Sequence, residues 1–135
     1  MTMTILFVDD EQQSLRAMSA MFHKHPFRLI TAQSASEALR VMARETVDIV
    51  ISDERMPGMS GSELLTVVRN RYPGTIRMML TGYASPPAAV RAVNDAAVHR
   101  FFSKPCAHET LLTAINETLA EREGTAKPED SVAQL

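Results

Sequence analysis

Polar side chains follow four apolar runs of the sequence, each at the point where the run ends. These groups are Asp9 and Asp10 after Val8, Asp53 after Ser52, Thr81 after Leu80, and Lys104 after Ser103. Clustered carboxylates repel one another and favour a hard cation such as Mg²⁺, which prefers oxygen ligands. A carboxylate can also attack phosphorus as a nucleophile, while a lysine and a hydroxyl stabilise the charge of a phosphoryl group. If the four groups meet in the fold, they are suited to accepting a phosphoryl group on a carboxylate.

The apolar runs that carry these groups alternate with helical patterns along the chain. Short runs rich in β-branched residues, typical of strands, lie at 4–8, 27–31, 47–52, 75–80 and 98–102. Each run is followed by apolar residues at helical spacing. The stripes are Leu15, Met18 and Phe22; Ala38, Leu39 and Met42; Leu64, Leu65 and Val68; Val90, Val93 and Ala97; and Leu111, Leu112, Ile115 and Leu119. Ser34 with Glu37 and Ser60 with Glu63 are typical of capping boxes, and Ser85 precedes Pro86 at a further predicted helix start.

Five strands that are each followed by a helix predict an α/β fold. Right-handed crossovers give such a chain a doubly wound, largely parallel sheet with helices on both faces. The nearly continuous apolar character of residues 5–8 and 47–51 agrees with strands that are covered on both faces. Because the carboxyl ends of parallel strands share one edge, we expect the acids, the threonine and the lysine to converge there.

Composition sets the remaining bounds on function. The 135 residues fit one domain, and 45% of them are hydrophobic and 22% are charged. The net charge of −2 gives no electrostatic reason to expect binding to nucleic acid or to an anionic membrane. The single cysteine, Cys106, cannot form an internal disulfide and is predicted to be structural. The N-terminal stretch MTMTILFVDDE lacks a basic region and soon meets two acids, so it is not expected to be a signal peptide. No apolar run reaches membrane-spanning length, and a cytoplasmic protein is therefore expected. Residues 122–135 are polar and predict a disordered tail or the start of a linker after a domain at 1–121.

Four motifs give the chain a resemblance to the receiver domain of two-component response regulators. They are VDDE at 8–11, SDERMPGMSG at 52–61, LTGYA at 80–84 and FFSKP at 101–105, in the family's order and close to its spacing. The resemblance covers about residues 3–121 and implies a flavodoxin-like (βα)₅ fold with strand order 2-1-3-4-5. It also implies a signalling switch that promotes its own phosphorylation and dephosphorylation rather than an enzyme with a separate substrate.

The resemblance assigns a role to each polar group. Asp53 is the implied phosphoacceptor, and Thr81 and Lys104 are the implied contacts of the phosphoryl oxygens. Asp9, Asp10, Asp53 and the backbone carbonyl of Arg55 are the implied Mg²⁺ ligands. Phe101 occupies the aromatic switch position, and the Lys104–Pro105 bond is expected to be cis. Arg55 and Tyr83 stand at positions that tune the dephosphorylation rate in the family.

The implied partners follow from the same resemblance. The phosphoryl donor would be a sensor histidine kinase or a phosphotransfer protein. A downstream effector would bind the surface of the fourth predicted helix, the fifth strand and the fifth predicted helix. Its candidate contacts are Arg91, Asn94, Asp95, His99 and Arg100. A homodimer is left open, and neither nucleic acid nor membrane is an expected partner of this segment.

Several other interpretations stay open on the sequence alone. Asp9 or Asp10 can be an N-cap of the first helix, which does not exclude metal binding. Phe101 can be a plain core residue, and the side chains of Arg55 and Tyr83 can point into solvent. For the whole chain, the alternatives are a receiver-like interaction module without phosphorylation, an aspartyl-phosphate phosphatase-like enzyme and a flavin binder. The phosphatase class needs a second Asp two residues after the nucleophile, where this chain has Arg55. The sequence does not identify an output domain.

Overall fold

A computed structural model describes residues 2–82, 87, 90, 94 and 96–124. Strands and helices alternate through most of this range. The strands are β1 (Met3–Val8), β2 (Phe27–Ala32), β3 (Ile49–Ser52), β4 (Ile76–Thr81) and β5 (Arg100–Ser103). The helices are α1 (Gln12–Phe22), α2 (Ala35–Arg44), α3 (Gly61–Arg71) and α4 (His108–Gly124). The structure describes residues 87, 90, 94 and 96 of the fourth predicted helix, and these residues are helical. They carry no label, and α4 denotes the last helix, His108–Gly124.

The described strands form one parallel sheet in the order β2-β1-β3-β4-β5, which confirms the predicted fold and strand order. The register aligns the carboxyl ends of the strands. Val8 pairs with Ser52 across β1 and β3, and Thr81 pairs with Ser103 across β4 and β5. The residues that follow these pairs are therefore brought to one edge of the sheet.

The central strands are buried because helices cover both faces of the sheet. Residues 5–8 of β1 and 49–51 of β3 are at most 1% exposed. Leu64, Leu65 and Val68 of α3 belong to a buried cluster that also contains residues of β1, β3 and β4. Burying a leucine or valine side chain contributes roughly 1.5–3 kcal/mol, so this cluster stabilises the packing of α3 with the strands.

The predicted helix starts are realised to different degrees. Ser60 and Glu63 form a complete capping box at α3. At α2 the predicted box is incomplete, because the Glu37 carboxylate accepts the Gln33 backbone N–H at 2.7 Å, while the Ser34 hydroxyl accepts the Glu37 N–H at 3.1 Å. The start predicted at Ser85 and Pro86 lies outside the described residues.

Arg77 is a buried cation on β4 that the sequence pattern did not single out. It is 6% exposed, and its guanidinium donates to the carbonyls of Ala96 at 3.0 Å and Thr75 at 2.9 Å. Burial, and then the charge of Arg69, lower the pKa of Arg77, but an arginine remains charged. The bond to Ala96 ties the backbone that precedes β5 to β4, the strand that ends at Thr81.

The chain divides into two units, residues 1–105 and residues 106–135. The first unit contains the sheet and α1 to α3, and the second contains α4. Within the part of the chain that is described, none of the helices combines the length and the apolar character needed to cross a membrane. The domain boundary predicted at residue 121 stays a prediction.

Candidate functional site

Three carboxylates meet at the edge of the sheet where β1 and β3 end. One oxygen from each of Asp9, Asp10 and Asp53 lies within 4.8 Å of the others. Asp9 is fully buried, Asp53 is 7% exposed and Asp10 is exposed. The sequence prediction that these acids converge is therefore correct. Such a set of hard oxygen donors, open to solvent on the Asp10 side, suits Mg²⁺, which retains several of its waters.

Asp9 is held from three directions directly after β1. Its backbone N–H continues the sheet by donating to the Ala32 carbonyl at 3.1 Å. Oδ1 accepts the Glu11 backbone N–H at 2.9 Å, and Oδ2 accepts from Lys104 Nζ at 2.6 Å. The N-cap of α1 is Glu11, so the interpretation of Asp9 or Asp10 as the N-cap is not realised.

Asp53 extends β3 by one hydrogen bond and then leaves the sheet. Its N–H donates to the Val8 carbonyl at 2.9 Å, which places it beside Asp9. Oδ1 accepts the Glu54 N–H at 2.8 Å, and Oδ2 lies 3.5 Å from Lys104 Nζ. The carboxylate is therefore oriented, with Oδ2 on the side of the lysine.

Lys104 supplies the positive charge of the site from the end of β5. Its ammonium pairs with Asp9 at 2.6 Å and reaches Asp53 at 3.5 Å and the Ser14 hydroxyl at 3.5 Å. Burial lowers the pKa of Lys104, but the hydrogen bond that Lys104 donates to Asp9 and the charges of Asp53, Asp9 and Glu11 outweigh this effect, so the pKa is raised from its ordinary value. The lysine is therefore charged at neutral pH. The Lys104–Pro105 bond is cis, as expected.

Thr81 completes the group at the end of β4. It is 1% exposed, and its carbonyl accepts the Lys104 backbone N–H at 2.9 Å, which links the two residues across the strands. An open cavity of about 380 Å³ runs over the site, and its lining residues are Asp10, Glu11, Asp53, Arg55, Thr81, Gly82 and Lys104. Glu11 and Gly82 were not predicted, although each directly follows a predicted site residue.

The structure describes some of the other predicted residues. Phe101 is partly buried and packs against the core cluster. Asn94 and His99 are exposed, and Arg100 is partly exposed. Tyr83, Arg91 and Asp95 lie outside the described residues. The Cys106 thiol is not activated, because burial raises its pKa.

Gly61 allows α3 to approach the backbone of Asp53, the residue that follows β3. A Cβ built at Gly61 would lie 2.0 Å from the Asp53 carbonyl oxygen, a contact that requires the backbone to move. We expect Gly61→Ala to reduce the free energy of unfolding by about 2 kcal/mol, measured by urea denaturation. The matched control is Gly74→Ala, whose Cβ would have no heavy atom within 4 Å. The control should stay within about 0.5 kcal/mol of wild type; equal losses in the two variants would contradict the steric argument.

The parallel sheet, the acidic trio and the facing lysine define a receiver-type α/β domain. The chain belongs to the response regulator receiver domain family, whose model matches residues 5–116. The receiver domain of this family is a signalling switch of two-component response regulators. The resemblance stated from the four motifs is thereby confirmed.

Two curated relatives and two solved structures illustrate the match. The hydrogenase transcriptional regulatory protein HoxA of Cupriavidus necator is 33% identical over 86% of this chain and 24% of its own length. The transcriptional regulatory protein GlrR of Escherichia coli is 36% identical over 87% of this chain and 26% of its own length. The chain thus spans about a quarter of the length of these relatives.

The solved structures agree over nearly the whole receiver. The signal receiver domain of an HD domain-containing protein from Pseudomonas fluorescens has a TM-score of 0.89 at 31% identity, over 92% of this chain and 99% of that one. A CheY-like receiver domain protein from Methanospirillum hungatei has a TM-score of 0.88 at 30% identity, over 93% of this chain and all of that one.

Proposed function

We propose that this receiver accepts a phosphoryl group on Asp53 from a histidine kinase or a phosphotransfer protein. The observation that carries the proposal is the placement of the Asp53 carboxylate in an open cavity, between two further acids and a charged lysine. Oδ2 would attack phosphorus, so an O–P bond forms while the P–N bond of the donor phosphohistidine breaks and its electron pair returns to the imidazole.

Mg²⁺ fits the donor set of this site. The carboxylates of Asp9, Asp10 and Asp53 and the carbonyl of Arg55 would hold it, and the bound ion would neutralise charge on the phosphoryl oxygens. The Asp9 carboxylate accepts from the Glu11 N–H and from Lys104, which holds it in place beside Asp10 and Asp53.

Lys104 and Thr81 are proposed to stabilise the phosphorylated form. The phosphoryl group carries roughly −1.5 to −2 charge where the Asp53 carboxylate carried −1, so the ammonium of Lys104, now shared between Asp9 and Asp53, would move toward the phosphoryl oxygens. The Thr81 hydroxyl would donate a hydrogen bond to a phosphoryl oxygen. Because the Lys104 N–H is bonded to the Thr81 carbonyl, both residues would respond together.

The output is proposed to be a population shift at the surface that includes β5. Phe101 on β5 packs against the core and would act as the aromatic switch. A downstream effector domain or protein would read this surface. The names of the relatives HoxA and GlrR describe transcriptional regulatory proteins, which supports an effector that acts in gene regulation. A domain at 1–121 and a cytoplasmic location stay predictions.

The proposal is tested by phosphorylation with acetyl phosphate, with Mg²⁺ and with excess EDTA. We expect a mass increase of one phosphoryl group when Mg²⁺ is present and none with EDTA, because without the metal ion the three carboxylates, which Lys104 neutralises only in part, repel the donor. Metal-dependent binding of beryllofluoride should follow the same pattern. Equal labelling in the two conditions would contradict a metal-assisted receiver, and no labelling in either would favour an interaction module.

Arg55 is proposed to slow hydrolysis of the phosphorylated form, because it lines the cavity two residues after the phosphoacceptor. We expect Arg55→Ala to shorten the lifetime of the phosphorylated chain about three- to tenfold, because the variant lacks one charge-assisted contact to the phosphoryl group. The measurement is the decay of the labelled protein after removal of acetyl phosphate, with Arg55→Lys as the control that keeps a positive charge. An unchanged lifetime in Arg55→Ala would reject a role for this side chain.

A further inference from the structure

Glu54 contacts the start of α3 across the loop that leaves the phosphoacceptor. Its Oε1 accepts two hydrogen bonds from Ser62, from the backbone N–H at 2.8 Å and from the hydroxyl at 2.6 Å. The Glu54 carbonyl accepts the Gly61 N–H at 3.0 Å. No role in the site was predicted for Glu54 or Ser62, because their contact joins residues eight apart and matches no standard helix motif.

These contacts account for the first backbone donors of α3. A helix begins with N–H groups that have no partner inside the helix. The N–H groups of Gly61 and Ser62 both reach Glu54, and that of Glu63 reaches the Ser60 hydroxyl at 3.2 Å. A carboxylate at this position is also favoured by the helix dipole. Glu54 therefore caps α3 from outside the helix.

The loop between the two ends of this contact has little remaining freedom. Gly58 has φ of +80°, the left-handed conformation that glycine adopts readily, and Pro57 before it has a restricted φ. Gly61 is packed against the Asp53 carbonyl, so the loop cannot shift toward β3. Glu54 closes the loop at its base and anchors it to the helix.

We propose that Glu54, through Ser62, is a positioning residue for the metal site. The inference rests on the proposed function, because the carbonyl proposed to bind Mg²⁺ belongs to Arg55, the residue after Glu54. The Glu54 N–H also donates to Asp53 Oδ1 at 2.8 Å. One residue thus orients the phosphoacceptor carboxylate on one side and the loop carbonyl on the other, while its own carboxylate is directed to α3.

The test is the dissociation constant of Mg²⁺, measured by isothermal titration calorimetry on the unphosphorylated chain. We expect Glu54→Ala to raise the dissociation constant of Mg²⁺ about tenfold. This is the lower end of the effect seen when a residue that supports a metal ligand is removed. Ser62→Ala keeps the bond from the backbone N–H of residue 62 to Glu54 and should raise the dissociation constant of Mg²⁺ about threefold. The double variant should bind no more weakly than Glu54→Ala, since both substitutions remove the same contact.

Glu54→Gln separates positioning from charge. Its amide oxygen still accepts from Ser62, so positioning predicts an affinity within about threefold of wild type. A general electrostatic attraction would make Glu54→Gln as weak as Glu54→Ala and leave Ser62→Ala unchanged, and that result would overturn the proposal. Melting of each variant without Mg²⁺ reports on folding. If Glu54→Ala does not fold, Ser62→Ala and Glu54→Gln decide the question.

Phosphorylation of Asp53→Asn tests the proposed function separately from this inference. If Asp53→Asn is no longer phosphorylated while Glu54→Ala binds Mg²⁺ like wild type, the proposed function stands and the positioning role is rejected. If the wild-type chain does not bind Mg²⁺ at all, both are rejected.

Discussion

Asp53→Asn is expected to abolish phosphorylation by acetyl phosphate in the presence of Mg²⁺. The amide has nearly the shape of the carboxylate, but its nitrogen is no nucleophile and the variant has lost the charge that favours a metal. Because Asp53 Oδ1 accepts the Glu54 N–H, an asparagine can keep that bond through its carbonyl oxygen, and the fold should be retained. The measurement is the mass of the intact protein after incubation with the donor.

The control for Asp53→Asn is the same kind of change at an exposed acid. Glu109→Gln, at the start of α4, removes one negative charge but leaves the trio intact. It should be phosphorylated to the wild-type level. Undiminished labelling of Asp53→Asn would assign the phosphoacceptor to a different residue.

Lys104→Met is expected to destabilise the metal-free chain by about 3 kcal/mol and to increase its stabilisation by Mg²⁺. The ammonium pairs with Asp9, which is fully buried, so its removal leaves a buried charge without its cation. Asp53 loses the same neighbour. Mg²⁺ would then supply the missing positive charge, and a ligand that binds the folded state stabilises it according to its affinity.

The two effects are measured by urea unfolding, with and without Mg²⁺. Lys104→Arg retains a cation and should lose less stability without the metal than Lys104→Met does. If Lys104→Met were as stable as wild type without Mg²⁺, the Lys104–Asp9 pair would have no structural importance in the metal-free state.

Much of the fold follows from local sequence patterns. β-branched runs and helical stripes predicted five strands and their helices, and their alternation predicted a largely parallel sheet. The boundaries shifted by one or two residues; β3, predicted at 47–52, begins at Ile49. The complete capping box at Ser60 was predictable because its partners are three residues apart. The box at Ser34 is incomplete because the Glu37 carboxylate bonds Gln33, a competition between neighbours that the motif does not contain.

The membership of the site was predictable, but the pairing within it was not. Residues that follow parallel strands must share one edge, so Asp9, Asp53 and Lys104 could be grouped from the sequence. The sequence did not indicate that Lys104 pairs most closely with Asp9, at 2.6 Å, rather than with Asp53, at 3.5 Å. That choice depends on side-chain positions set by packing across 95 residues of sequence separation.

The sequence by itself determined the alternation of strands and helices, the acids at the strand ends and the family resemblance, because these depend on residue type and spacing, and the strand order was implied by that resemblance. The tertiary structure alone decided which groups touch: the burial of Asp9, the cap that Glu54 provides to α3, and the bonds from Arg77 to the backbone before β5. These contacts join residues with no periodic relation in the chain. Their distances follow from how the helices and strands pack, which no local pattern of the sequence encodes.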